Sequence, residues 1–285
     1  MSAELDIKSF RELVSQYDAI FLDSFGVLKT YTGLIPGVQE CIDHLRDLGK
    51  PFRVLTNDAS RSLLEQESVF INMGLQGITA DEIITSGTLT KKYLSNKFDS
   101  GLVAYLGTDN AADYVIDAPL EKIPILEVND KNRDEVRAMI FLDDEGFDWQ
   151  RDINLCLNLL RHKNIPAIVA NSDRIYPLTQ DDVAIATGAI AQLIEHVLGR
   201  KFIQFGKPDS LMFMYAYEQV NEIQTIHRKK ILMVGDTLHT DILGGNKFGI
   251  STALVLTGNT TQQSAQMLIR SRGIRPDYVC ESIAT

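Results

Sequence analysis

A chain of 285 residues is long enough for one large domain or two moderate ones. With 45% hydrophobic and 23% charged residues it has the balance of a folded globular protein, unlike a disordered, collagen-like or membrane chain. Its formal net charge of -10, with no basic run, argues against a nucleic-acid backbone or an anionic membrane surface as partner.

Cys41, Cys156 and Cys280 lie far apart, without the close pairing of zinc or redox motifs, and read as small buried hydrophobes in a reducing compartment. The first ten residues, MSAELDIKSF, have no apolar core, and no segment reaches the roughly 18 apolar residues of a membrane span. A cytoplasmic protein is expected.

Short apolar runs alternate with amphipathic stretches, the pattern of a doubly wound parallel α/β sheet. In chain order the pattern predicts a strand over Ala19 to Leu22, a helix over Val38 to Leu48, and a strand over Phe52 to Leu55. Strands follow at Leu102 to Leu106 and Met139 to Leu142, then a helix over Ile153 to His162 and a strand over Ala167 to Val169. Helices over Ala189 to Leu198 and Leu211 to Val220 precede strands over Ile231 to Val234 and Thr252 to Leu256.

Three strands finish in chemically notable residues: Phe21-Leu22-Asp23, Val54-Leu55-Thr56-Asn57 and Met233-Val234-Gly235-Asp236. Ligands of open α/β sheets bind beyond the carboxyl ends of the strands, so these tips can share one crevice. Taken alone, Asp23 reads equally as a nucleophile, a metal ligand or a turn cap before Gly26. Asp236 and Asp241 add carboxylates near one crevice, and their repulsion is relieved most simply by a hard divalent cation with oxygen ligands. Magnesium is the natural candidate. Asn57 to Ser62 sit where donors at a helix N-terminus could receive an anion, or could form an ordinary cap.

The order Asp23-Ser24-Phe25-Gly26-Val27, Thr56-Asn57, Gly206-Lys207-Pro208 and Gly235-Asp236-Thr237-Leu238-His239-Thr240-Asp241 resembles the four motifs of the haloacid-dehalogenase-like hydrolases. Leu34-Ile35-Pro36-Gly37, Asn57-Asp58-Ala59-Ser60-Arg61-Ser62 and Ala170-Asn171-Ser172-Asp173 look like its class IIA branch of sugar-phosphate, nitrophenyl-phosphate and pyridoxal-phosphate phosphatases. The likeness runs through nearly the whole chain.

The resemblance implies a Rossmann-like core, residues 1–84 and 183–285, with an inserted α/β cap of the C2 type over 85–182. It implies an Mg2+-dependent phosphatase in which Asp23 attacks phosphorus, aided by Lys207 and the Thr56 hydroxyl. Asp23, the backbone carbonyl of Phe25 and Asp236 would hold the metal, with Asp241 a ligand or bonded to a metal-held water or to Lys207. Ser24, Asn57, Asn171, Asp173 and Gly188 fall on the substrate side, Arg174 accompanies the Asn171 loop, and Gly188 lies where the chain re-enters the core. His239 is read as a variable filler, and the Asp143-Asp144-Glu145 loop beside Trp149 as solvated. The expected partner is a small phosphorylated metabolite, with no nucleic acid and no membrane; cap dimerisation among relatives adds a homodimer.

One position departs from the pattern. Such phosphatases carry a second aspartate two residues after the nucleophile, where this chain has Phe25. The departure leaves three readings: a phosphatase with a substitute acid, such as Asp58 or a cap residue, or with leaving groups that need little protonation; a non-phosphatase hydrolase; or a phosphate-ester binder with little turnover.

Overall fold

The structure is a computed structural model describing residues 6–179 and 182–285. The first five residues of the N-terminal stretch read above, and 180–181 of the expected cap, lie outside them. The chain divides into two compact units. Of the described residues, one comprises 6–56, Leu63–Ile84 and Lys207–Thr285; the other comprises Asn57–Ser62 and those within Thr85–Gly206.

The first unit is built on a six-stranded sheet in the order Tyr278–Cys280, Ser251–Val255, Ile231–Gly235, Ala19–Asp23, Phe52–Thr56, Ile83–Thr85. All five residues of Ala19–Asp23 are buried, as are all five of Phe52–Thr56 and of Ile231–Gly235. Such near-continuous apolar runs mark parallel strands covered on both faces. Helix Val38–Asp47 adds Val38, Ile42 and Leu45 to a core with Ile20, Leu22, Phe52, Val54, Leu232 and Val234. Each fully buried Phe, Leu or Ile here contributes about 1.5–3 kcal/mol.

The chain leaves Ala19–Asp23 for the Phe52–Thr56 side, then returns to add Ile231–Gly235 on the other. The strand order therefore reverses at the Asp23 strand, which makes its carboxyl end the topological switch point where ligands bind. Registers of Leu22 with Val234 and of Asp23 with Leu55 put Asp23, Thr56 and Asp236 on neighbouring strand tips.

The second unit holds a five-stranded parallel sheet in the order Ile203–Gln204, Ala167–Val169, Val136–Phe141, Gly101–Leu106, Leu120–Pro124. Cys156, Leu159 and Leu160 of helix Arg151–His162 and Ile190, Ala191 and Ile194 of helix Thr187–Leu198 share its core with Ala104, Met139 and Val169.

The doubly wound α/β architecture is as expected, and each predicted strand and helix is present within a few residues of its bounds. The return to the first unit is not where the sequence placed it. The second unit extends to Gly206, because Ile203–Gln204 pairs with Ala167–Val169 and helix Thr187–Leu198 buries its apolar face on the same sheet. Gly188 is thus part of the second unit and does not mark re-entry. Strands Ile83–Thr85, Leu120–Pro124, Ile203–Gln204 and Tyr278–Cys280 are additions to the predicted set. Among the described residues, no helix is long and apolar enough to cross a membrane. All three cysteines are buried and free.

Candidate active site

Asp23 ends its strand with only 9% exposure, and Oδ1 accepts the Ser24 backbone N–H at 2.6 Å. The same oxygen lies 2.5 Å from Lys207 Nζ. Lys207 also contacts Asp241 Oδ1 at 2.8 Å, and both of those side chains are almost wholly buried. Burial alone would lower the lysine pKa, but Asp23 and Asp241 outweigh it and raise it. Lys207 is therefore a fixed ammonium.

Asp236 follows its strand directly and is 1% exposed. Oδ2 accepts the Asn259 backbone N–H at 2.5 Å and Oδ1 accepts the Thr237 hydroxyl at 2.9 Å. Asp241 sits one wide helical turn on, within Leu238–Ile242, and its Oδ2 accepts the Thr237 backbone N–H at 3.0 Å. Ligand oxygens of Asp23, Asp236 and Asp241 all lie within 4.8 Å of one another.

Glycines make this crowding possible. Gly26 adopts φ 78°, a conformation that glycine takes without cost. A Cβ there would stand 2.2 Å from Asp236 Oδ2, and one on Gly235 would stand 2.1 Å from Asp241 Cγ.

The electrostatics are unbalanced. Three buried carboxylates face one ammonium, so full ionisation leaves negative charge in excess. Burial and then Asp241 push Asp236 up to about 7, against the Asn259 and Thr237 hydrogen bonds. Asp23 is raised too, by burial and by Asp241, with Lys207 opposing. A hard divalent cation would remove this penalty, and an all-oxygen donor set is the kind magnesium takes. The residues fit such an ion. Residue 25 keeps a backbone carbonyl whatever its side chain, so that expected donor is compatible with phenylalanine.

Ser24 is buried and its carbonyl accepts the Leu28 and Lys29 N–H groups that close the turn. Thr56 ends its strand and is 9% exposed. His239 is exposed, consistent with a filler.

The remaining predicted residues form a cluster within the second unit. Asn57 Nδ2 donates to Ser172 Oγ at 3.1 Å and Asp173 Oδ1 at 2.9 Å, while Asn171 Oδ1 accepts the Asp173 N–H at 3.0 Å. Gly188 N–H donates to the Asp173 carbonyl, and a Cβ on Gly188 would stand 2.4 Å from the Ser172 carbonyl. Arg174 is exposed. Asp58 is committed to its own turn: Oδ1 accepts the Ser60 N–H and hydroxyl at 2.8 and 2.6 Å, and Oδ2 faces Arg61 at 3.3 Å. The loop near Trp149 is less solvated than expected. Asp143 and Asp144 are half-buried, the first bonded to the Thr108 hydroxyl at 3.1 Å, and burial raises both carboxyl pKa values.

Sequence reasoning missed the loop Thr257-Gly258-Asn259. Thr257 Oγ1 donates to the Gly26 carbonyl at 2.5 Å, and a Cβ on Gly258 would stand 2.0 Å from Asp236 Oδ2. Its one sequence signal was position, since it follows strand Ser251–Val255 at the same carboxyl edge.

A family model described as haloacid dehalogenase-like hydrolase matches residues 20–121, and a HAD-hydrolase-like model matches residues 204–285. A possible sugar phosphatase of the HAD superfamily from Cytophaga hutchinsonii is 53% identical, with TM-score 0.95 over 99% of either chain. Mouse (Mus musculus) chronophin is 28% identical, covering 97% of this chain and 94% of its own. A glycerol phosphate phosphatase from Mycobacterium tuberculosis, solved in complex with magnesium, shares the fold at 22% identity and TM-score 0.75, over 97% of this chain and 77% of its own.

Proposed function

The chain belongs to the haloacid dehalogenase-like hydrolase family, and from that premise we propose that it is a magnesium-dependent phosphatase acting on a small phosphorylated metabolite, a sugar phosphate or similar, through an aspartyl-phosphate on Asp23. The observation that carries this reading is the buried group of Asp23, Asp236 and Asp241 around Lys207 at the switch point of the first sheet. Relatives named as phosphatases, and a distant one solved with magnesium, point the same way.

Phosphoryl transfer is catalysed mostly by positioning and by neutralising charge on the transferred group. Asp23 is the attacking carboxylate. Lys207 holds Oδ1 and faces the incoming phosphoryl oxygens, the Thr56 hydroxyl donates to them, and Asp241 keeps Lys207 charged. Asp23, Asp236, Asp241 and the residue 25 carbonyl would hold magnesium, which supplies charge neutralisation to the phosphoryl group. Water then hydrolyses the Asp23 acyl phosphate. Ser24, Asn57, Asn171, Asp173 and Gly188 are assigned to the substrate side.

Phe25 sets the limits of the chemistry. A phenyl ring neither donates nor accepts a proton, so a contribution of about 10²–10⁴-fold from general acid/base catalysis is missing at that position. Asp58 does not replace it in this reading, because its oxygens are taken by Ser60 and Arg61. Among small phosphorylated metabolites, turnover should therefore favour the esters whose leaving group needs least protonation.

The test is phosphate release from aryl and alkyl phosphates of graded leaving-group pKa, with magnesium or chelator, beside Asp23→Asn and Phe25→Asp. The expected result is magnesium-dependent turnover that falls steeply as leaving-group pKa rises, vanishes in Asp23→Asn, and becomes less steep in Phe25→Asp. A flat dependence in the wild type would overturn the leaving-group argument. Phe25 also favours a second reading, a phosphate-ester binder; no wild-type turnover, with activity gained in Phe25→Asp, would establish that instead.

A further inference from the structure

The magnesium reading assigns Asp236 as a ligand but does not say what aims its carboxylate. Both oxygens are held, and both lead to Asn259. Its backbone N–H donates to Oδ2 at 2.5 Å. Its side-chain Nδ2 donates to Thr237 Oγ1 at 2.9 Å, and Thr237 Oγ1 donates to Oδ1 at 2.9 Å. The direction of this relay is fixed by chemistry: an ionised carboxylate, the form that binds a cation, only accepts, so the Thr237 proton points at Asp236 while its oxygen receives the amide. Asn259 is itself exposed, so packing does not account for the arrangement.

The loop carrying Asn259 is seated from two further directions. Thr257 Oγ1 donates to the carbonyl of Gly26, next to residue 25, and Gly258 has room for no side chain between Asp236 Oδ2 and Gly26 Cα, which a Cβ would approach to 2.0 and 2.6 Å. The segment thus joins the Asp236 tip to the turn after Asp23.

We propose that Asn259 is a positioning residue for the metal site, orienting Asp236 from both sides, and that the Thr257–Asn259 loop sets the spacing between Asp236 and the Phe25–Gly26 turn. The inference rests on the magnesium reading above. Groups that orient a metal ligand typically alter metal affinity about 10–100-fold when removed.

The test is Mg2+ affinity by titration calorimetry on the full chain without substrate, for wild type, Asn259→Ala, Thr237→Val, Thr237→Ser and the Asn259→Ala/Thr237→Val pair. Asn259→Ala should raise the Kd about tenfold, Thr237→Val at least as much, and Thr237→Ser, which keeps the hydroxyl, should stay near wild type. The double variant should bind no worse than Thr237→Val, since the side chain of Asn259 acts through that hydroxyl. In turnover, the magnesium concentration for half-activation should rise while the KM for the ester holds. Unchanged Mg2+ affinity in Asn259→Ala, or additive losses in the pair, would overturn the proposal and leave the phosphatase reading standing. A wild type that binds no Mg2+ would remove the metal reading and this proposal together.

Discussion

Lys207→Met tests the electrostatic account most directly, because methionine keeps most of the volume and removes only the charge. The ammonium lies 2.5 Å from Asp23 and 2.8 Å from Asp241, with the lysine 2% exposed and Asp241 fully buried. Breaking a buried ion pair by removing one partner costs about 3–5 kcal/mol, and two partners are stranded here, so the upper end is expected. At roughly 2–4 °C per kcal/mol for a domain of this order of size, Tm should fall by about 10–20 °C. The loss should depend on pH. Carboxylates with raised folded pKa values bind more protons in the native state than unfolded, so stability falls as pH rises between the two values. Removing Lys207 takes away the group that opposes the rise at Asp23 and Asp236. Their window then extends upward, and the deficit against wild type should be larger near pH 8 than near pH 5.5. Thermal unfolding by circular dichroism in chelator at the two pH values measures this. A deficit below about 1 kcal/mol near pH 8, or an equal deficit at both, would refute the claim that Lys207 balances these carboxylates.

Two further outcomes follow from the same geometry. Asp236, pushed up to about 7 from an ordinary 3.8, should make the metal-free wild type lose roughly 4 kcal/mol between about pH 4 and pH 7, and saturating Mg2+ should flatten that slope in denaturant melts. A slope unaffected by Mg2+ would count against the carboxylate group as the cation site. In the second unit, Asp173→Ala should raise the KM for the ester, as its assignment to the substrate side requires. A stability loss of about 1–3 kcal/mol with unchanged KM would instead leave Asp173 only the structural role of accepting from the Asn57 amide.

The parts of the fold that the sequence displayed are those where one local signal suffices. Ala19–Asp23, Phe52–Thr56 and Ile231–Gly235 are buried at every position, so an unbroken apolar run announces them. Leu120–Pro124 mixes buried and exposed positions and ends in proline, and Ile203–Gln204 has two residues, too few for any period. The unit boundary was hidden for a related reason. The apolar stripe of Thr187–Leu198 says that the helix must cover a sheet, but either sheet would satisfy it. The choice is made by Ile203 pairing with Ile168 across 35 residues of chain, a non-local term that periodicity does not carry.

The site divides along the same line. Asp23, Lys207, Asp236 and Asp241 were legible because their chemistry resides in side chains that few other residues can imitate. Asn259 was not, because its closest contact with the site is a backbone N–H, which every residue except proline possesses. Its contribution depends on a loop that reaches Asp236 from 23 residues away, and on Gly258 letting it approach. Phe25 shows the converse. Its side chain, plain in the sequence, announces a lost proton donor. The Gly26 turn keeps φ 78° and its close approach to Asp236, and residue 25 retains its backbone carbonyl whatever the side chain. A substitution there can therefore remove acid/base chemistry while leaving the cation site intact, because the two functions of residue 25 reside in different atoms.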